Sequence, residues 1–110
     1  METKSSNRFA GQSVIITGGS RGIGKEIAER FLTEGANVYI VDYVLPAENE
    51  PMFDNADFLA RTSLYQADVS KEESVVAAFE AIIKKAGRVD VLVNNAGITR
   101  DNLILRMPEK

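Results

Sequence analysis

Two residue types are missing from the 110-residue sequence altogether: it has no cysteine and no histidine. Without cysteine there are no disulfides, thiolate nucleophiles or cysteine-based zinc sites. Without histidine, a Ser-His-Asp triad and a histidine-ligated metal are ruled out as well. Acid–base work is left to Asp, Glu, Lys, Tyr or Ser. No apolar run approaches the roughly 20 residues that cross a bilayer. The polar start, Met1 to Arg8, lacks the apolar stretch of a secretory signal, so a cytoplasmic protein with no membrane partner is expected. Blocks of like charge are lacking too, and a net charge of -3 argues against a nucleic-acid partner, which needs a basic face.

What is present is ordinary in amount and informative in order. Apolar residues at 45% and charged residues at 26% fit a globular chain with one small core. Short β-branched runs alternate with amphipathic helical segments, the pattern of a parallel sheet with helices on its faces. Ser13 to Thr17 reads as a buried strand. A helix follows from Gly22 to Glu34, with Ile23, Ile27, Ala28, Phe31 and Leu32 on its apolar stripe and Gly35 closing it. Asn37 to Asp42 is a second strand. Pro46 and Pro51 interrupt the next stretch, leaving room for a short helix over Asp54–Arg61. Leu64 to Asp68 is a third strand. Ser70 to Glu73 has the capping-box pattern and opens a helix that ends at Gly87. Arg88 to Asn94 is the fourth strand, and Ile98 to Met107 is expected to turn helical. Right-handed crossovers then give the spatial order 3-2-1-4, slightly more than half of a doubly wound nucleotide-binding fold.

The strongest local signal is Thr17-Gly18-Gly19-Ser20-Arg21-Gly22-Ile23-Gly24, set between a strand and a helix. Glycines let the backbone approach a pyrophosphate closely, and the helix N-terminus offers free N–H groups and partial positive charge. An ordinary glycine-rich turn is the plain alternative, against which the flanking elements weigh. Asp42 closes the second strand roughly twenty residues further on. A carboxylate there can accept hydrogen bonds from the adenosine ribose and repel a 2′-phosphate, favouring NAD(H). It reads otherwise as a solvated strand-end Asp. Arg21 pulls toward NADP(H), since a guanidinium can grip a 2′-phosphate, or it is a surface Arg at a helix start. The carboxylate should dominate, because a buried like-charge contact is harder to tolerate than an idle Arg. Asp68 and Val69, at the third strand's end, would meet the adenine, or simply lead into the next helix. Asn94-Asn95-Ala96-Gly97, two amides and two small residues, suits backbone passing close to a ligand, though alone it is any turn.

Thr17-Gly18-x-x-x-Gly22-Ile23-Gly24 taken with Asn94-Asn95-Ala96-Gly97 closely resembles the short-chain dehydrogenase/reductase family. The stretch Gly97 to Leu103 is similar to that of its 3-oxoacyl-[acyl-carrier-protein] reductases. The resemblance runs from Phe9 onward, with 44–62 its least typical part. It implies an α/β, Rossmann-type doubly wound sheet and NAD(P)H-dependent reduction of a ketone to a secondary alcohol. The substrate it implies is a 3-oxoacyl group on acyl carrier protein. By the same resemblance, Gly18, Ser20, Arg21 and Ile23 line the pyrophosphate and ribose, Asp68 and Val69 hold the adenine, and Asn95, Ala96 and Gly97 pass beneath the adenosine-side ribose and phosphates. Such reductases usually prefer NADPH, whereas Asp42 argues for NADH. The family usually assembles as a homotetramer.

The family's chemistry rests on a Tyr-x-x-x-Lys pair, a preceding Ser and an Asn, in which Lys lowers the Tyr pKa for proton exchange with the substrate oxygen. Four residues after Tyr39, Tyr43 and Tyr65 stand Tyr43, Ala47 and Val69, so no tyrosine has its lysine and no catalytic residue is nominated. The expectation is therefore that residues 1–110 are the dinucleotide-binding half of one domain belonging to a longer protein, with 1–8 flexible, and inactive alone. Two other readings stand beside this one. One is a short-chain dehydrogenase for another alcohol or ketone, such as a sugar, steroid or hydroxy acid. The other is a non-catalytic dinucleotide-binding or redox-sensing module.

Overall fold

Every side chain of Ser13–Thr17 is buried, which a strand achieves only when both faces of its sheet are covered. The computed structural model describes residues 8–47 and 49–95, and in it this strand, β1, has a neighbour on each side. The chain runs β1, α1 (Gly22–Thr33), β2 (Asn37–Asp42), α2 (Ala56–Ala60), β3 (Thr62–Gln66), α3 (Glu72–Ala86) and β4 (Val91–Asn94). The sheet order is β3-β2-β1-β4, every pairing parallel, as the alternation of elements implied. The expected flexible residues 1–7 and the helix over Ile98 to Met107 lie outside the described residues.

The two-residue period of the strands sorts their side chains onto two cores. Val14 and Ile16 of β1 join Val38 and Ile40 of β2 against Ala28 and Leu32 of α1, with Met52 and Phe53 from the loop after β2. Ile15 faces the other way and packs with Tyr39, Val41 and Val75, Ala78, Phe79 and Ile82 of α3. Ile15, Ile16 and Ile82 have no exposed surface, and each such burial is worth about 1.5–3 kcal/mol relative to exposure. None of the described helices is long and apolar enough to cross a membrane.

Polar ties fix the tail of α1. Arg8 donates through Nε and Nη2 to the two carboxylate oxygens of Glu34, at 2.8 and 3.1 Å, and the Phe9 ring meets Phe31 edge-on at 5.0 Å. From the far end of α2, Arg61 donates to Leu32 O at 3.0 Å and to Ala36 O, while pairing with Asp57 at 2.7 Å. One guanidinium therefore meets a carbonyl in the last turn of α1, where cations are favoured, and ties it to the loop that leads into β2.

Helices α1 and α2 end within two residues of the expected limits, and three other boundaries shift for reasons visible in the structure. The third strand runs from Thr62 to Gln66 and not from Leu64 to Asp68, because pairing with β2 starts at Val38↔Thr62 and ends at Asp42↔Gln66. Asp68 is instead the head of a turn. Its Oδ1 accepts from Ser70 N–H at 3.0 Å and from the Ser70 hydroxyl at 2.6 Å. That contact also removes the expected capping box: α3 starts at Glu72, its N-cap is Lys71, and no side chain caps it. Held in that turn, Ser70 stands one residue ahead of the N-cap instead of occupying it. The fourth strand begins at Val91, not Arg88.

Asp90 explains that last shift. Its Oδ2 accepts from Ser13 N–H at 2.8 Å and its Oδ1 from Arg88 Nε at 2.7 Å, and its own N–H donates to Ser13 O at 2.9 Å. The residue thereby bolts the start of β4 to the start of β1. The Arg88 guanidinium first, and the Ser13 amide second, hold the Asp90 carboxyl below the usual carboxylate range. A depressed folded-state pKa gives stability that is complete above the ordinary carboxylate value and lost as pH falls through the lowered one. Asp90→Asn should therefore cost about 1–2 kcal/mol at neutral pH and flatten the acid limb of stability. Urea midpoints measured from pH 7 downward check this, and an unchanged acid limb would refute it.

Candidate functional site

Parallel strands end on the same side, so the segments after Thr17, Asp42, Gln66 and Asn94 gather along one edge of the sheet. Thr17 is level with Val41 on one side and Asn94 on the other. After β1 the chain crosses to β2, and β4 lies on β1's other flank. The order reverses at β1, where open α/β sheets form a crevice.

The glycine turn fills that place. Gly18 N–H donates to Val41 O at 2.8 Å, fastening the turn to β2. Arg21 is extended at the N-cap of α1, its side chain makes no cap bond, and the first turn carries no acidic residue. By contrast, α2 is capped by Asn55 and carries Asp57, and α3 opens with Glu72 and Glu73. Among the described residues no side chain caps the N-terminus of α1, and amides presented in this way suit an anion from outside. Gly22 has φ +60°, and a Cβ there would meet nothing within 4 Å, so it faces open space. Ile23 is 69% exposed beside it.

Gly24 differs. It is buried, and a Cβ there would collide with Gly18 O, Asn95 Nδ2 and Gly19 Cα. Its role in the structure is close packing of α1 on the turn, so among the expected ligand-facing residues it supports the site from behind. Asn95 does likewise. Its side-chain Nδ2 donates to Gly18 O at 3.0 Å and its backbone N–H to Thr17 Oγ1 at 3.0 Å. Thr17, 3% exposed, also donates to Asn94 Oδ1 at 3.0 Å. Thr17 is a member of the site that the glycine spacing does not mark. A hydroxyl at a strand end, level with two amides on the neighbouring strand, is the signal that would have found it.

Asp42 comes to the turn as expected. Its Oδ2 accepts from Ser20 N–H at 3.2 Å and from the Ser20 hydroxyl at 2.6 Å, and its Oδ1 from Tyr43 N–H at 2.8 Å. Tyr43 and Val44 follow, 60% and 55% exposed, an apolar rim beside a carboxylate. Asp68 and Val69 lie past β3, with the Asp68 carboxyl held below its usual range by the Ser70 hydroxyl and then the Ser70 amide. Val69 packs against the α3 core. Ala96 and Gly97 lie outside the described residues. A separate hollow of about 300 Å³, lined by Leu45, Pro46, Pro51, Met52, Leu59 and Leu64 among others, opens beside β3 and includes no residue of the glycine turn.

The donor set thus fits a dinucleotide: bare amides for phosphates, a carboxylate for a sugar diol and a Cβ-free approach between them. Comparison with known proteins agrees with this. The 3-oxoacyl-[acyl-carrier-protein] reductase FabG of Chlamydia muridarum is 43% identical over 100 residues, covering 90% of this chain and 40% of that protein. The chain spans about two fifths of the length of such curated relatives. A hydroxysteroid dehydrogenase from Escherichia coli superposes with a TM-score of 0.71 at 40% identity, over 84% of this chain and 39% of that one. A variant of ElxO solved with NADPH bound gives a TM-score of 0.71 at 42% identity, over 81% and 36%. A family model described as short chain dehydrogenase matches residues 12–110, and the chain belongs to that family.

Proposed function

We propose that this chain binds the dinucleotide for an NAD(P)H-dependent oxidoreductase that reduces a ketone to a secondary alcohol, with a 3-oxoacyl thioester on acyl carrier protein as substrate. The observation that carries the binding role is the uncapped N-terminus of α1 with the Asp42 carboxylate fastened beside it by Ser20. The similarity to FabG over nine-tenths of the chain supports the substrate class. In this reading the diphosphate lies on the amides of Gly18 to Gly24, with Arg21 and Ile23 at its margin. Asp42 accepts from the adenosine ribose, Asp68 and Val69 border the adenine, and Asn95, Ala96 and Gly97 pass beneath. The bound nucleotide supplies the hydride, while these residues orient it. In this reading a Tyr-x-x-x-Lys pair exchanges the proton, a pattern that none of Tyr39, Tyr43 and Tyr65 carries, and the complete enzyme is a homotetramer.

A second reading, an oxidoreductase for another alcohol or ketone, is favoured by the 40% identity to the hydroxysteroid dehydrogenase.

NADPH differs from NADH by a 2′-phosphate, which the Asp42 carboxylate repels, whereas the free 2′,3′-diol of NADH can donate to it. NADH should therefore bind the whole polypeptide more tightly than NADPH, and Asp42→Ala should narrow the gap by about tenfold, the worth of a hydrogen bond to a charged group. Titration by nucleotide fluorescence checks both. Preference for NADPH in the unmutated protein would remove Asp42 from the ribose, and failure to bind either would remove the nucleotide reading.

A further inference from the structure

We propose that Ser20 is a positioning residue for Asp42: its hydroxyl holds the carboxylate in place and turns to the Val44 carbonyl when a ribose diol binds. This rests on Asp42 being the ribose acceptor. A carboxylate has about four acceptor positions. Ser20 N–H and O–H take two on Oδ2 and Tyr43 N–H takes one on Oδ1, so one remains. A ribose diol brings two donors, and a further position must be vacated. Both amides are fixed by the backbone. The Ser20 hydroxyl is not, and its single proton already has a second acceptor, Val44 O, at 3.2 Å.

The sign of the effect follows from that second acceptor. Rotating the hydroxyl from Oδ2 to the carbonyl exchanges one hydrogen bond for another, so releasing the carboxylate costs little. What the serine contributes is then the ordering of Asp42 before the ligand comes, which lowers the entropic penalty of binding. A ribose carrying a 2′-phosphate brings one donor fewer and a negative charge. It gains nothing from an ordered carboxylate and is repelled by one. Ser20 therefore acts on the choice between the two nucleotides, through Asp42.

The test is titration of the whole polypeptide with NADH and with NADPH for the unmutated protein, Ser20→Ala, Ser20→Thr, Asp42→Ala and the Ser20→Ala/Asp42→Ala pair. Ser20→Ala should weaken NADH by about five- to tenfold and leave NADPH equal or tighter. Ser20→Thr, which keeps the hydroxyl, should restore the unmutated ratio. With Asp42 already alanine, Ser20→Ala should leave the ratio unmoved, the non-additivity of residues acting as one unit. Equal weakening of both nucleotides, no change in either, or an effect that survives the loss of Asp42 overturns the proposal. If Asp42→Ala moves the ratio and Ser20→Ala does not, only the role of Ser20 fails. If Asp42→Ala itself leaves the ratio unchanged, the ribose reading fails and this inference with it.

Discussion

Gly24→Val is expected to lower the stability of the fold by about 2–4 kcal/mol, overpacking plus one broken hydrogen bond. A Cβ at this position would strike Gly18 O and stand 2.8 Å from Gly19 Cα. Both are backbone, so no change of rotamer relieves the clash. The third neighbour, Asn95 Nδ2 at 2.6 Å, would have to release Gly18 O, which it now meets at 3.0 Å. Helix α1 would then lift off the turn, and its contacts through Ala28 and Leu32 with the strands beneath would loosen. A loss of that size is a large part of the roughly 5–15 kcal/mol that keeps a domain folded. The urea midpoint at constant slope measures it. A valine variant with the original midpoint would show that α1 does not sit this close.

Gly22→Leu should do the opposite: little harm to folding, large harm to binding. The φ of +60° there disfavours a side chain by about 1–2 kcal/mol, but no atom lies within 4 Å of the new Cβ. The leucine would project into the space before the uncapped amides of α1. Displacing a phosphate from two such charge-assisted bonds removes about 3 kcal/mol, or roughly a hundredfold in affinity for NADH. Fluorescence titration beside an unfolding curve separates the two effects. An unchanged NADH affinity would take the glycine turn out of the binding site. Two glycines two residues apart in one motif thus answer different questions, one about the fold and the other about the ligand.

How much of this was legible beforehand depended on how local the cause was. β1 announced itself, because five residues buried on both faces must be apolar or small in sequence. Gly35 and Gly87, with φ of 94° and 88°, end their helices where the sequence placed the stops. The limits of β3 come from its register with β2, a partner twenty-odd residues away in the chain, and Thr62, β-branched but followed by Ser63, is too short a run to mark the strand's start. The capping box at Ser70 is absent because Asp68 draws the serine into a turn of its own, one residue short of the N-cap. At the site, the glycine turn and Asp42 were readable from spacing. The inward service of Gly24 and Asn95 was not, since it depends on how closely β4 and α1 approach the same carbonyl. The long reach of Arg61 to Leu32 and Ala36 left no mark in the sequence at all.

That arginine sets a condition on α1 as a whole. The Leu32 carbonyl in its last turn finds a counter-charge in Arg61, while among the described residues no side chain caps its first turn, so the two ends of the element differ electrically. A phosphate arriving at the front supplies what Arg61 already supplies at the rear. The guest then serves as the missing terminal group of the helix, and occupancy should be felt along its entire length as reduced fraying.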